Sequence, residues 1–200
     1  MITRRAPSAR LARTPQGKKP AGEGWFILNA RDSAWYSNGS FGAATIFENR
    51  EFPFAQLGIN LRVLGPGQPN CHYHAESNQE DFLVLAGRCR VLIDGRNILL
   101  KSWDFVHCPP WTDHVFVGVG KEPCIILMVG ARSKSEKLRY PRARLALEYS
   151  AGSPKATADP GVSYAAVTRS VPVSPPPPFG KPARAGRRRR PGSAEDPDAL

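Results

Sequence analysis

The residues best suited to chemistry lie in the stretch 71–87, CHYHAESNQEDFLVLAG. His72 and His74 stand two apart, Glu80 follows a polar turn, and an apolar run ends at Gly87. On an extended strand, side chains alternate between faces with a period of two, so His72 and His74 would point the same way and could ligate one ion. Glu80 opens the returning segment, where it could meet them across a hairpin. A third histidine, His114, follows the turn Pro109-Pro110-Trp111-Thr112-Asp113 and opens the apolar run VFVGV. No Ser/His/Asp or Cys/His pair stands out for covalent catalysis. Cys71, Cys89, Cys108 and Cys124 form no CxxC pair and read as buried or half-buried thiols.

The elements that must position these residues are short strands. Candidates are Trp25–Leu28, Ala44–Phe47, Leu57–Leu64, Phe82–Leu85, Cys89–Ile93, Ile98–Leu100, Phe105–Cys108, Val115–Val119 and Cys124–Val129. All are rich in β-branched, leucine or aromatic side chains and are punctuated by turn residues. Asp94-Gly95, between VLI and the apolar run NILL, is a two-residue hairpin signal, because both residues tolerate the positive φ of a type I′ turn. No sustained helical period appears between 24 and 131. Many short strands in such a span predict an antiparallel sandwich or barrel.

Charge and composition divide the chain. The net charge is +11, yet residues 23–131 hold 8 Lys/Arg against 11 Asp/Glu, a balance of 8 − 11 = −3. The positive charge belongs to the ends, which excludes the central body as a dedicated nucleic-acid surface; a basic tail can still touch phosphates non-specifically. Residues 1–22 are basic, acid-free and poor in large apolar side chains, and are expected to be disordered. A folded domain is expected over 23–131, then a short, partly helical extension over 132–150 interrupted at Pro141. From 151 to 200 the Pro/Arg-rich composition, with PPPP at 175–178 and RRRR at 187–190, predicts a disordered tail. No apolar run is long enough for a membrane span and the N-terminus has no secretory-type core, so a cytoplasmic location is expected.

Two blocks in this body resemble the paired signature of the cupin superfamily. The first is His72-Tyr73-His74, then Glu80, then six residues and Gly87; the second is Pro109 followed by His114 at the start of a strand. The resemblance covers about residues 56–130. The chain departs from the pattern in the length between His74 and Glu80 (five residues, more than is usual). It departs again at Trp103 and Trp111, where the family commonly has glycine, and at Gly118, where it often has asparagine.

The resemblance implies an all-β jelly-roll barrel with an ion held inside by His72, His74, Glu80 and His114. The longer spacing leaves Asp81 and Glu76 as alternative carboxylates. Imidazole and carboxylate without thiolate suit iron, manganese, zinc or nickel. Four protein ligands leave positions open, as in catalytic sites. His107 is expected to pack or hydrogen-bond at the barrel wall, and Trp103 and Trp111 at its rim. The implied function is metal-dependent action on a small organic molecule, as a dioxygenase or isomerase; the alternative is a non-catalytic small-molecule-binding or sensor module. A homodimer is expected, and neither a specific nucleic-acid partner nor a membrane.

Overall fold

The computed structural model describes residues 5–180. The arginine run at 187–190 lies outside the described residues. In chain order the strands begin with β1 (Arg10–Thr14), β2 (Gly17–Ala21), β3 (Trp35–Ser37), β4 (Ala43–Ile46), β5 (Leu57–Leu64), β6 (Ala75–Glu76) and β7 (Glu80–Ala86). They continue with β8 (Arg88–Ile93), β9 (Arg96–Lys101), β10 (Phe105–Cys108), β11 (His114–Val119), β12 (Cys124–Ala131), β13 (Leu138–Arg139) and, near the end, β14 (Val171–Val173). Two short helices, α1 (Arg144–Glu148) and α2 (Pro160–Ser163), lie between β13 and β14.

A seven-stranded antiparallel sheet, in the order β10-β7-β12-β5-β4-β3-β14, packs against a three-stranded sheet, β11-β8-β9. Strand alternation explains the core between them. Phe82 and Val84 of β7, Val91 of β8, Phe116 of β11 and Ile126 of β12 all turn inward. The Phe82 and Phe116 rings lie 4.6 Å apart. Each such side chain contributes roughly 1.5–3 kcal/mol by leaving water. The Asp94-Gly95 turn between β8 and β9 has φ of 44° and 76°, as the hairpin signal predicts. Gly87, with φ 73°, closes β7 where an added Cβ would collide with the Pro123 carbonyl oxygen, so no other residue fits.

The expected jelly-roll barrel is not closed among the described residues. The segment that would join the sheets beside β11 makes only two isolated bridges to it, Pro69↔Val117 and His74↔His114. Pro69 has no N–H to give a ladder, and the chain bends at Cys71 and Tyr73.

Both ends carry more structure than composition implies. Residues 10–21, expected to be disordered, form the β1–β2 hairpin. Tertiary contacts hold it: Lys18 pairs with Asp32 at 2.7 Å and Lys19 Nζ donates to the Tyr36 hydroxyl at 2.7 Å. Trp25–Leu28 is not a strand; Trp25 makes a single bridge to Ser8, and Ile27 is 85% exposed. The first indole in the core is that of Trp35.

The expected helical extension is present as α1, whose Ala146 packs with Leu92, Val115 and Tyr73 on the outer face of the small sheet. Residues 151–180, expected to be structureless, carry α2 and β14. β14 pairs with β3, and Phe179 lies 5.1 Å from Trp35 on the outer face of the large sheet. No helix among the described residues is long and apolar enough to cross a membrane.

Candidate metal centre

His74 and His114 form an antiparallel bridge pair in which each backbone N–H donates to the other residue's carbonyl. Residues paired in this way carry their side chains on the same side, and the two rings lie 5.0 Å apart. The Nδ1 atoms are fixed alike. That of His74 is 2.8 Å from the His72 carbonyl oxygen, and that of His114 is 3.0 Å from the Thr112 carbonyl oxygen. A carbonyl only accepts, so each Nδ1 carries a hydrogen and each Nε2 is the nitrogen that faces the carboxylates of the cavity.

Glu80, the first residue of β7, completes the group. Its Oε2 is 3.4 Å from His114 Nε2, and the ligand atoms of His74, Glu80 and His114 all lie within 4.8 Å of one another. Bonds of roughly 2.0–2.2 Å to a tetrahedral ion would put neighbouring ligand atoms about 3.4 Å apart, so the donor set fits a divalent transition ion. Glu76 is also at hand, with Oε1 3.5 Å from His74 Nε2. Asp81 is not: the strand turns it to the outer face, where it accepts from His107 Nδ1 at 2.7 Å. His107 is therefore the hydrogen-bonding wall residue that its sequence position suggests.

His72 is not brought into this group. The bend at Cys71–Tyr73 breaks the alternation that would have aligned it with His74. Its ring stacks on Tyr164 at 4.4 Å, its Nδ1 is 2.9 Å from Ser163 Oγ, and its backbone N–H donates to the Tyr164 hydroxyl. Ser163 and Tyr164 belong to a segment that composition marks as tail, so the sequence carried no signal for this contact.

Electrostatics in the cavity follow from burial and crowding. Burial, then the Glu76 carboxylate, pushes the Glu80 carboxyl up to about 7. Burial, then His74, pulls His114 down to about 4. For His74 burial opposes the charged form, but Cys71, Glu76 and Glu80 outweigh it and hold the pKa well above the usual value. Burial also opposes ionisation of Glu76, but its hydrogen bond to His74 outweighs this and pulls it down. Glu136 is pushed up by burial and then by its hydrogen bond to Glu76. Glu76 and Glu136 are thus shifted in opposite directions within the same cavity as the histidines.

These features define a class: a two-sheet all-β protein with a histidine–carboxylate group inside. Residues 60–130 match the cupin domain family. No curated protein matches it. Among solved structures it is similar to a sugar phosphate isomerase from a cupin superfamily of Silicibacter pomeroyi (24% identity, covering 50% of this chain and 66% of that one, TM-score 0.46). It is also similar to a polyketide cyclase from Streptomyces resistomycificus (14%, 54% and 79%, TM-score 0.47). A third is a conserved protein with a double-stranded β-helix domain from Klebsiella pneumoniae (21%, 56% and 95%, TM-score 0.47). The chain spans slightly under two thirds of the isomerase's length.

Proposed function

We propose that this chain is a metal-dependent cupin enzyme acting on a small organic molecule, with His74, Glu80 and His114 as the ligands of one divalent ion. The observation that carries the reading is the shared ring orientation: both imidazoles commit Nδ1–H to a backbone carbonyl and set Nε2 within reach of the Glu80 carboxyl. Two histidines and one carboxylate with open positions suit iron(II) first, with manganese, zinc and nickel as the other candidates. Such an ion would supply Lewis acidity and, as iron, dioxygen chemistry, which suits a reaction in the oxygenase or isomerase range.

The chain's own groups supply the rest. The cavity is about 350 Å³, at the small end of ligand sites, which run roughly 300–1,000 Å³. Phe82 and Met128 form an apolar part of its wall and limit water. Glu76 and Glu136, both in the cavity wall and shifted in opposite directions, can share a proton beside the substrate space.

Elemental analysis of the purified protein beside a His74→Ala/His114→Ala variant tests the reading. About one equivalent of transition metal in the parent and none in the variant is expected; no metal in the reconstituted parent overturns it. Ligand binding without turnover would move the chain to the non-catalytic alternative. A homodimer belongs to the same reading: Leu99, Trp103 and Phe105, at 68%, 73% and 63% exposure on and between the edge strands β9 and β10, offer an apolar strip for a second copy. The mass in solution by light scattering decides that point.

A further inference from the structure

The cavity that holds the His74–Glu80–His114 group has a second polar pole on β5. Along this strand Asn60 and Arg62 line the cavity, while the alternating Leu61 and Val63 pack on the outer face of the sheet. Arg62 Nη1 donates to the Gly42 carbonyl at 3.2 Å. Its Nε is sealed from solvent without a partner, as is Asn60 Oδ1 beside it. Arg132 pairs with Glu48 and Arg139 with Asp113, while Arg90, whose Nε is likewise without a partner, lies on the Tyr149 ring and donates to its hydroxyl. Among the described residues no carboxylate pairs with Arg62. Buried polar groups are nearly always satisfied, and an uncompensated buried guanidinium is costly, so an unused donor edge here calls for an anion from outside.

The surroundings favour that anion. Arg62 and Arg132 also line a neighbouring cavity of about 930 Å³, where Lys19 and Arg50 join them against Glu48 and Glu51. Four cations against two acids there would draw an anion toward Arg62. A planar guanidinium fork matches the two oxygens of a carboxylate; a turn of the Arg62 side chain would bring its sealed Nε edge to the cavity, and the Asn60 amide can donate its Nδ2 after rotation about Cβ–Cγ. The acids Glu76, Glu80 and Glu136 in the same cavity disfavour the higher charge of a phosphate.

We infer that the substrate is a small organic acid, its carboxylate taken by Arg62 and Asn60 while its reacting end lies against His74, Glu80 and His114; this rests on the metal-enzyme reading above. The test is a binding titration on the full chain, metal-loaded and metal-free. Its probes are benzoate and succinate beside the neutral benzamide and succinamide, with inorganic phosphate as a second oxyanion and metal content counted on the same samples. At least one carboxylate is expected to bind about tenfold or more tightly than its amide and than phosphate. Arg62→Gln is expected to remove that preference while keeping the parent's metal content. If Arg62→Gln does not fold, Arg62→Lys, which keeps the charge and loses the fork, is expected to lose most of the preference. Equal binding of acids and amides, no binding of either, preference for phosphate, or an undiminished preference in the folded Arg62 variant overturns the inference. Failure of the metal reading shows separately, as a parent without metal whose carboxylate preference persists.

Discussion

His74 and His114 face each other across one two-bond bridge, N–H to carbonyl at 3.2 and 2.8 Å in the two directions. Backbone pairing therefore sets the distance between the two sequence blocks before any ion arrives. Each imidazole is then oriented by the carbonyl two residues before it, His72 for one and Thr112 for the other. A ligand pair built in this way is preorganised, because neither ring must turn to present Nε2.

The proposed centre draws its ligands from His74, Glu80 and His114, and alanine substitutions separate these residues from His72. His72→Ala is expected to keep about one equivalent of metal. His74→Ala and His114→Ala are expected to weaken binding by more than about a hundredfold, since loss of even a supporting partner costs roughly 10–100-fold. Stability is expected to move the other way for His72→Ala, which loses the Ser163 bond and the Tyr164 stack, about 1–2 kcal/mol in a denaturant melt. Loss of metal in His72→Ala would mean that the ring swings into the site.

Glu80 makes the metal-free protein pH-dependent. Its folded pKa, about 7, lies above the ordinary 4.5. A carboxyl raised in this way stabilises the fold fully below the unfolded value, and that stability is lost as pH rises through the folded value. The loss between pH 4.5 and 7 is at most about 3 kcal/mol. His114, pulled down to about 4, works at the other end: its contribution is present above pH 6.5 and lost as pH falls through about 4. Glu80→Gln should therefore raise the melting temperature of metal-free protein at pH 8 and change it little at pH 5, while abolishing metal binding. A Glu80→Gln protein less stable than the parent at pH 8 would contradict this. In the parent, metal affinity should rise with pH through about 7 and continue to rise above it, because both Glu80 and His74 must shed protons.

Much of this arrangement was legible in the sequence, and the gaps have physical causes. The boundaries of β5 and β10 follow from apolar runs between turns, and the β8–β9 hairpin from Asp94-Gly95. His74, Glu80 and His114 were legible because a motif of residue types survives in sequence. His72 failed because strand alternation assumes an extended chain, and the chain bends at Cys71 and Tyr73. The terminal segments failed because composition measures how much core a segment can build alone. The β1–β2 hairpin and β14 use a core that others supply. Arg62 did leave a signal, the two polar residues Asn60 and Arg62 standing two apart in LGINLRVL, which the apolar content of that run obscured.

The segment after residue 156 is expected to behave as part of the fold. Removing it takes away Ser163 and Tyr164 from His72, β14 from β3, and Phe179 from Trp35. Truncation should lower the melting temperature by about 8 °C or more, since a chain of this size loses roughly 2–4 °C per kcal/mol. A truncated protein that melts with the parent would return the segment to the status of a tail.

Trp103 and Trp111 stand where the family pattern has glycine, and the backbone shows why: their φ values are 76° and 69°. A side chain in that region costs roughly 1–2 kcal/mol. Trp111 has a partial offset, its ring lying 5.8 Å from the Arg139 guanidinium. Trp103 is 73% exposed, so little packing offsets its strain. Trp103→Gly is expected to stabilise the protein by up to about 1 kcal/mol after the extra flexibility of glycine in the unfolded chain is counted. The melting temperature would rise by about 2–4 °C. Trp111→Gly is expected to gain less. If Trp103→Gly instead lowers the melting temperature, the exposed indole must be covered in solution, and repeating the comparison across protein concentrations would show whether a second copy covers it.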